Sequence, residues 1–211
     1  MYLFSRTARL GEGNPQKQLD WALRITEKVN QISEVPVSLW MSVFSPGSGT
    51  LVWAATIDDL VTLETVEGKL VGDSGYTTLV EEGGAHASGD PVDDHLLQFV
   101  HADPKAAEID AQYASVVQAT LAPGGMTRGI ELGIETAQRA GTISGSPTSF
   151  ALAVTGVYGM VEWISTYASI EEYQRGQEAV GADAEFSTMV DKELSKVYLP
   201  GAVQSVFRKL A

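Results

Sequence analysis

The amino-acid sequence contains one pattern of residues twice, and this internal repeat restricts the possible folds more than any other feature. Residues 159–173, a strand pattern that runs into a capped helix, have an earlier copy at residues 49–63. An offset of 110 residues pairs Trp53 with Trp163, and an offset of 111 holds nearer the start of each copy. Pairs at the offset of 111 are Tyr2 with Tyr113, Leu10 with Leu121, Gly13 with Gly124 and Pro36 with Pro147. A single register with one lost residue indicates two copies of one module.

Each copy is predicted to form a strand, a helix, two strands, a helix and a strand. In the first copy, residues 2–10 are typical of a strand, and residues 16–32 carry apolar side chains at the three- and four-residue spacing of a buried helix face. Residues 37–45 and 50–57 are rich in β-branched and aromatic side chains, which favour strands. The turn-forming residues 45–49 between them predict a hairpin.

The second helix of each copy is predicted to begin at a capping residue. Asp59 has a side chain that accepts hydrogen bonds from the first turn of a helix, and Ser169 with Glu172 predicts a capping box at the matching place in the second copy. The final strands are predicted near residues 95–101 and 202–209.

This order of elements predicts the fold class. A βαββαβ unit forms an antiparallel sheet with both helices on one face. The other face of an isolated unit would be an exposed apolar patch, which soluble monomers rarely carry. We therefore predict an α+β chain of two tandem ferredoxin-like domains, residues 1–101 and 111–211, packed sheet to sheet as an intrachain pseudo-dimer. The polar segment 102–110 is predicted to be the linker.

Composition and charge exclude several functions. The formal net charge of −13 disfavours a nucleic-acid partner and an anionic membrane surface, because both attract basic proteins. A chain without cysteine forms no disulfide, iron–sulfur cluster or cysteine nucleophile. No run approaches the roughly 20 apolar residues of a membrane span. We expect a cytoplasmic protein, and self-association into a homo-oligomer is left open.

The second copy also carries a family resemblance. Residues Trp163 to Tyr173, followed by Ala182 to Phe186, resemble the strand-to-helix pattern of the dimeric α+β barrel superfamily, nearest to its NIPSNAP and antibiotic-biosynthesis-monooxygenase branches. The resemblance covers both halves of the chain. Members include cofactor-independent monooxygenases acting on aromatic substrates, haem-degrading and haem-binding proteins, isomerases and non-enzymatic binders. The resemblance therefore implies a pocket for a small molecule rather than one reaction.

Aromatic side chains are the candidates for that pocket. Trp40 and Trp53 lie on neighbouring strands of the first predicted hairpin, and Tyr158 and Trp163 belong to the second. If these side chains face the helices as core, burial contributes about 2–3 kcal/mol each. If they line a cavity, they are suited to hold a planar apolar or aromatic substrate.

Titratable candidates are fewer. His86 lies in a glycine-rich loop of the first copy, and it is a candidate general base or axial haem ligand if it is not simply a surface residue. We expect no cofactor, with haem as the alternative. The nearby Asp90, Asp93, Asp94 and His95 match no metal-binding loop, and we predict solvated side chains and no metal site.

Two functions remain open at this level. The first is an enzyme, a cofactor-independent monooxygenase or isomerase acting on an apolar or aromatic substrate. The alternative is a non-catalytic binding or scaffolding protein. An enzyme needs a group that handles protons inside its cavity, whereas a binder can be lined by apolar side chains.

Overall fold

The computed structural model describes residues 1–47 and 49–211, and within them the predicted order of elements occurs twice, with further helices that were not predicted before the last strand of each half. The first half contains β1 (Tyr2–Arg9), α1 (Pro15–Ile32), β2 (Ser38–Val43), β3 (Thr50–Ile57), α2 (Leu60–Val71), α3 (Ser74–Gly83) and β4 (Asp93–His101). The second half contains β5 (Tyr113–Thr120), α4 (Met126–Ser144), β6 (Thr148–Ala153), β7 (Met160–Tyr167), α5 (Ile170–Ala182), α6 (Ala184–Met189), a π-helical turn (Val190–Leu194), α7 (Ser195–Val197) and β8 (Val203–Lys209). Ser48, in the predicted 45–49 turn, lies outside the described residues.

Both predicted helix caps are confirmed. The Thr62 backbone N–H donates to Asp59 Oδ1 at 2.8 Å at the start of α2. At the start of α5, the Glu172 N–H donates to Ser169 Oγ at 3.2 Å. The Glu172 carboxylate in turn accepts from the N–H of Ala168, the residue before the cap, at 3.0 Å, so each of the two side chains satisfies a backbone amide at the start of the helix.

The chain comprises two compact units, residues 1–96 with 209–211 and residues 97–208. The division falls inside β4. The predicted linker, residues 102–110, lies in the second unit, where Pro104–Ala107 form a short 3₁₀ helix. The sequence limits of the two repeats stay a prediction, because a repeat and a compact unit need not end at the same residue.

In the first unit, β3 pairs antiparallel with both β1 and β2. The start of β4 lies beside β1, since Thr7 Oγ1 donates to the Asp93 carbonyl at 3.3 Å. The last residues of the chain also return to this unit, where the Leu39 N–H donates to the Ala211 carbonyl at 2.7 Å. The second unit has the strand order β4–β6–β7–β5–β8, with every neighbouring pair antiparallel.

The two hairpins differ in register by one residue. Phe150 of β6 lies opposite Trp163, but Leu39 of β2 lies opposite Trp53. The strands β2 and β6 therefore correspond at the offset of 111, and the extra residue of the first copy lies in the β2–β3 turn. Because neighbouring residues of a strand point to opposite faces, Leu39 takes the place of Phe150, and Trp40 faces away from the helices.

The core of each unit lies between its sheet and its first helix. In the first unit, Leu39 and Leu51 are fully buried against Trp21, Ala22 and Ile25 of α1. The matching cluster of the second unit contains Leu132, Ala137, Phe150, Val161 and Trp163. No described helix is both long and apolar enough to cross a bilayer.

Candidate functional site

Each unit has a cavity, partly open to solvent, between the helix-facing side of its sheet and its helices. The first cavity, in the unit of residues 1–96, has a volume of about 530 Å³. The second cavity, in the unit of residues 97–208, has a volume of about 570 Å³. Both volumes fall within the roughly 300–1,000 Å³ of small-molecule sites. The two cavities occupy equivalent places in the two copies but have different linings.

The wall of the second cavity is apolar and held rigidly. Trp163 is 7% exposed, and its indole Nε1–H donates to the Gly133 carbonyl of α4 at 2.8 Å. Its ring packs against those of Phe150 and Tyr198, each with ring centres 5.2 Å away. Other apolar wall residues are Val117, Ala119, Val180, Phe186 and Leu194. This wall provides an aromatic face whose orientation is fixed by a hydrogen bond and by packing.

Three hydroxyl groups cross the floor of the second cavity in one row. Ser115 of β5 lies opposite Ser165 of β7, and Thr148 of β6 lies opposite Ser165 on its other side. Thr148 Oγ1 and Ser165 Oγ are 2.8 Å apart. We call these three residues the hydroxyl row. Each hydroxyl both donates and accepts, so the row can turn its free hydrogen or lone pair to suit a ligand.

Two glutamines extend this polar floor, and we call Gln177 and Gln204 the amide pair. Gln204 Nε2 donates to Ser115 Oγ at 3.0 Å and to Gln177 Oε1 at 3.2 Å. Tyr167, 2% exposed, also lines the cavity, and burial raises the pKa of its phenol, although hydrogen bonds with Ser165 and Gln177 oppose the rise. The floor is therefore a network of groups that are neutral at pH 7.

The first cavity is more apolar and has its charges at one end. The Arg6 guanidinium makes a bidentate pair with Asp94, with Nε to Oδ1 and Nη2 to Oδ2 both at 2.7 Å. Glu67 Oε1 lies 3.8 Å from the same Nη2. The hydrogen bond to Asp94 raises the pKa of Arg6, so this side chain stays charged. Trp53 forms part of the wall, and its Nε1–H donates to Thr26 Oγ1 at 2.8 Å.

Comparison with known proteins supports a fold rather than a close relative. No family model matches the sequence, and no curated protein matches it significantly. Similar solved structures include a candidate monooxygenase from Fusobacterium nucleatum, with a TM-score of 0.73 and 10% identity over 100% of this chain and 92% of that one. An anthrone oxidase-like protein has a TM-score of 0.70 and 12% identity over 100% and 91%. A candidate monooxygenase from Lactobacillus acidophilus has a TM-score of 0.65 and 9% identity over 99% and 93%.

The chain has the dimeric α+β barrel fold. The predicted fold class is confirmed, since these structures match along the whole chain. At identities of 9–12% the likeness concerns the fold alone. Which ligand a dimeric α+β barrel protein holds depends on the side chains that line its cavity.

Two of the predicted site residues line the cavities of this dimeric α+β barrel chain, and three do not. Trp53 lines the first cavity and Trp163 the second. Trp40 lies on the sheet face opposite the helices, because Leu39 takes the helix-facing position. Tyr158 is 88% exposed in the β6–β7 turn. His86 also lies outside the described lining of either cavity.

His86 is held mainly by its backbone. Its carbonyl accepts from the Gly11 N–H at 2.9 Å and from Gln18 Nε2 at 3.3 Å. Its ring lies 5.6 Å from that of Trp21, and its Nε2 is 3.9 Å from a Glu82 carboxylate oxygen. A haem iron needs a ligand directed into the space that holds the macrocycle. The described lining of both cavities lacks histidine, so these residues do not fit a histidine-ligated haem.

The hydroxyl row, the amide pair, Arg6 and Glu67 were not singled out from the sequence. Asp94 was named only as a solvated side chain, whereas in the structure it pairs with Arg6 at the first cavity. A comparison of equivalent positions contains the signal that was missed. Ser115 and Ser165 stand where the first copy has Phe4 and Ala55. Small hydroxyl residues at helix-facing strand positions, where the other copy is apolar, are typical of a polar patch on a cavity floor.

Proposed function

We propose that the second cavity binds a small, flat, apolar or aromatic molecule that carries an oxygen atom on one edge. The observation that supports this most directly is the combination of a fixed Trp163 wall with the neutral polar floor. Apolar walls contribute affinity by burial, and a few placed polar groups orient the ligand. A ligand carbonyl oxygen can accept from the hydroxyl row, and a ligand hydroxyl group can also donate to it, so no charged ligand group is required there.

The enzymatic form of this proposal is a cofactor-independent monooxygenase or an isomerase. The names of the similar solved structures, two candidate monooxygenases and an anthrone oxidase-like protein, support testing oxidation first. Either reaction begins with removal of a proton from the substrate, which needs a base. Among the described residues that line the second cavity, Asp191 carries the carboxyl group, and we assign it this role in the enzymatic form. The alternative is a non-catalytic binding protein.

Binding is tested by calorimetry with 2-naphthol as the probe. Ala140 of α4 lines the second cavity and Val29 of α1 lines the first at the equivalent place, so the same substitution fills either cavity. We expect Ala140→Phe to abolish 2-naphthol binding and Val29→Phe to leave it within twofold. Ser165→Ala should weaken 2-naphthol about tenfold, the effect of one lost hydrogen bond, and leave naphthalene unchanged. If only Val29→Phe lost 2-naphthol binding, the ligand would lie in the first cavity and the proposal would be wrong.

Catalysis is tested by oxygen uptake with anthrone as the substrate. The enzymatic form predicts consumption of O₂ by the wild-type protein and its loss in Asp191→Asn, while 2-naphthol affinity stays within twofold. A wild-type protein that binds 2-naphthol but consumes no O₂ with anthrone favours the non-catalytic alternative.

Other parts of the proposal concern the origin and setting of the protein. Matching elements are separated by 111 residues near the start of each copy and by 110 after that, which supports a tandem duplication. A cytoplasmic location, self-association into a homo-oligomer and the absence of nucleic-acid and membrane partners remain predictions. The net charge of −13 supports the last of these.

A further inference from the structure

The first cavity is large enough for a ligand of its own, and its lining differs in kind from that of the second. Its wall is formed by apolar side chains of β1, α1, β3, α2 and α3, among them Ile25, Val29, Trp53, Ile57, Leu70 and Val80. Trp53 presents an indole face that is fixed by its bond to Thr26. The apolar ring system of a ligand makes no hydrogen bonds to water, so its burial here sacrifices none and contributes affinity.

The charges at one end of this cavity do not balance. Of the described residues that line it, the charged ones are Arg6, Glu67 and Asp94. Asp94 accepts hydrogen bonds from both Nε and Nη2 of Arg6. Glu67 Oε1 lies farther away, 3.8 Å from Nη2. One guanidinium thus faces two carboxylates, which leaves an excess negative charge beside an apolar space.

This arrangement selects the charge of a ligand. An anion would be repelled by Glu67 and would have to displace Asp94 from two short hydrogen bonds before it reached Arg6. An ammonium group needs no displacement, because it donates to Glu67 while the Arg6–Asp94 pair stays intact. The net charge of the whole chain, −13, also raises the local concentration of cations.

We propose that the first cavity is a second binding site, for an apolar or aromatic molecule that carries an amine. The ring system lies against Trp53 and the apolar wall, and the ammonium group donates to Glu67. The second copy cannot supply this site. Its equivalents of Arg6, Glu67 and Asp94 are Val117, Gln177 and Gln204, which carry no charge.

Three naphthalene probes of equal size test the charge preference by calorimetry, first in the wild-type protein and then in Ala140→Phe, whose second cavity is filled, so that the comparison reports the first cavity alone. These are 2-naphthylmethylamine, 2-naphthylmethanol and 2-naphthoate, which are cationic, neutral and anionic at pH 7. We expect the amine to bind about tenfold more tightly than the alcohol at low salt, with naphthoate weakest. This preference should shrink at 0.5 M salt, because the carboxylates are partly exposed.

Two kinds of variant locate the effect. Glu67→Gln places the residue of the second copy at this position, and it should remove the preference for the amine while leaving the alcohol within twofold. Val29→Phe should abolish amine binding, whereas Ala140→Phe, which fills the second cavity, should not change it. The proposal is overturned if naphthoate binds most tightly, if the preference survives Glu67→Gln, or if only Ala140→Phe blocks the amine. Because each cavity has its own filling variant, failure here is distinct from failure of the proposed second-cavity function.

Discussion

The two cavities occupy the same place in two copies of one module, but one end of the first cavity is lined by charged side chains and the equivalent end of the second by neutral ones. In the first unit, Arg6 is clamped by Asp94 with Glu67 beside it. In the second unit the equivalent glutamines bond to each other and to a serine, Gln204 to Gln177 and to Ser115. The two carboxylates of the first unit are replaced by neutral amides at the same positions, and Arg6 is replaced by Val117.

This difference shows what the module fixes and what it leaves free. Strand register and helix contact determine that three neighbouring positions converge at the end of a cavity. The residues at those positions then decide whether the cavity end is an ion pair or a neutral network. A chain with both versions can hold two different ligands, whereas two identical copies would repeat one site.

The largest expected effect concerns the hydrophobic cores beneath the cavities. Phe150 is fully buried, and Phe150→Ala should lower the free energy of unfolding by about 3–5 kcal/mol, because it removes a large side chain and leaves a void. Leu39 occupies the same place in the first unit, and Leu39→Ala should cost about 2–5 kcal/mol. Urea unfolding measures both. Phe44→Ala is the control, since Phe44 is 86% exposed, and a cost close to that of Phe150→Ala would contradict the assigned register.

A smaller effect tests how each copy matches its helix to its strand. A Cβ added to Gly133 of α4 would lie 2.2 Å from the ring of Phe150. In the first copy the equivalents of Gly133 and Phe150 are Ala22 and the smaller Leu39. Gly133→Ala should therefore destabilise the protein by about 1–3 kcal/mol, despite the better helix propensity of alanine. Adding Phe150→Leu restores the residue types of the first copy. The double variant should be more stable than the two single costs predict, and strict additivity would refute the coupling.

The arrangement of elements was largely predictable from the sequence, for a physical reason. Strand alternation, helical spacing and capping are local patterns, and the repeat showed each pattern twice. The face on which Trp40 lies was missed, because the repeat shows that the first copy has one additional residue between Pro36 and Trp53 but not whether it lies before or after β2. Its position decides which face each side chain of that strand takes. That residue leaves no mark in the strand itself.

The site was less predictable, because its groups are brought together only by folding. Arg6 and Asp94 are separated by 88 residues, and nothing in either local segment connects them. His86 was a candidate because histidine is rare in this chain and because it lies in a glycine-rich loop. In the structure its backbone carbonyl accepts two hydrogen bonds, and its side chain lines neither cavity. The repeat aligned Trp53 with Trp163, and in the structure each lines a cavity and packs against a core cluster, while their role in ligand binding stays a prediction.

Alkaline pH should affect the second unit more than the first. The Tyr198 hydroxyl donates to the Gly129 carbonyl, and burial raises the pKa of Tyr198 above its ordinary value of about 10. A raised pKa in the folded state means that this contribution to stability is complete below pH 10 and is lost as the pH rises further. The first copy has Ser88 at the equivalent position. We expect Tyr198→Phe to cost about 1 kcal/mol at pH 8 and to flatten the decline above pH 10. Urea unfolding at pH 8 and pH 10.5 gives both values, and an unchanged decline would exclude Tyr198 as its source.

The smallest expected effect separates the two copies at acid pH. Asp59 and Ser169 cap equivalent helices, but only Asp59 is ionisable, and the hydrogen bond from the Thr62 N–H lowers its pKa. A lowered pKa in the folded state makes this stabilisation complete above the ordinary aspartate pKa, and it is lost as the pH falls through the folded value. Ser169→Ala should cost about 0.5–2 kcal/mol at pH 7. The Ser169 hydroxyl does not titrate, but the pKa of Glu171 is lowered by a hydrogen bond from its own backbone N–H and by one from this hydroxyl, so we expect a decrease in this cost at acid pH that is smaller than for Asp59. Asp59→Ala should destabilise the protein at pH 7 and have a progressively smaller effect below about pH 4.

Thermal unfolding of both variants at pH 7 and pH 3 measures the contrast. Parallel pH profiles would mean that the Asp59 cap acts through its geometry rather than its charge.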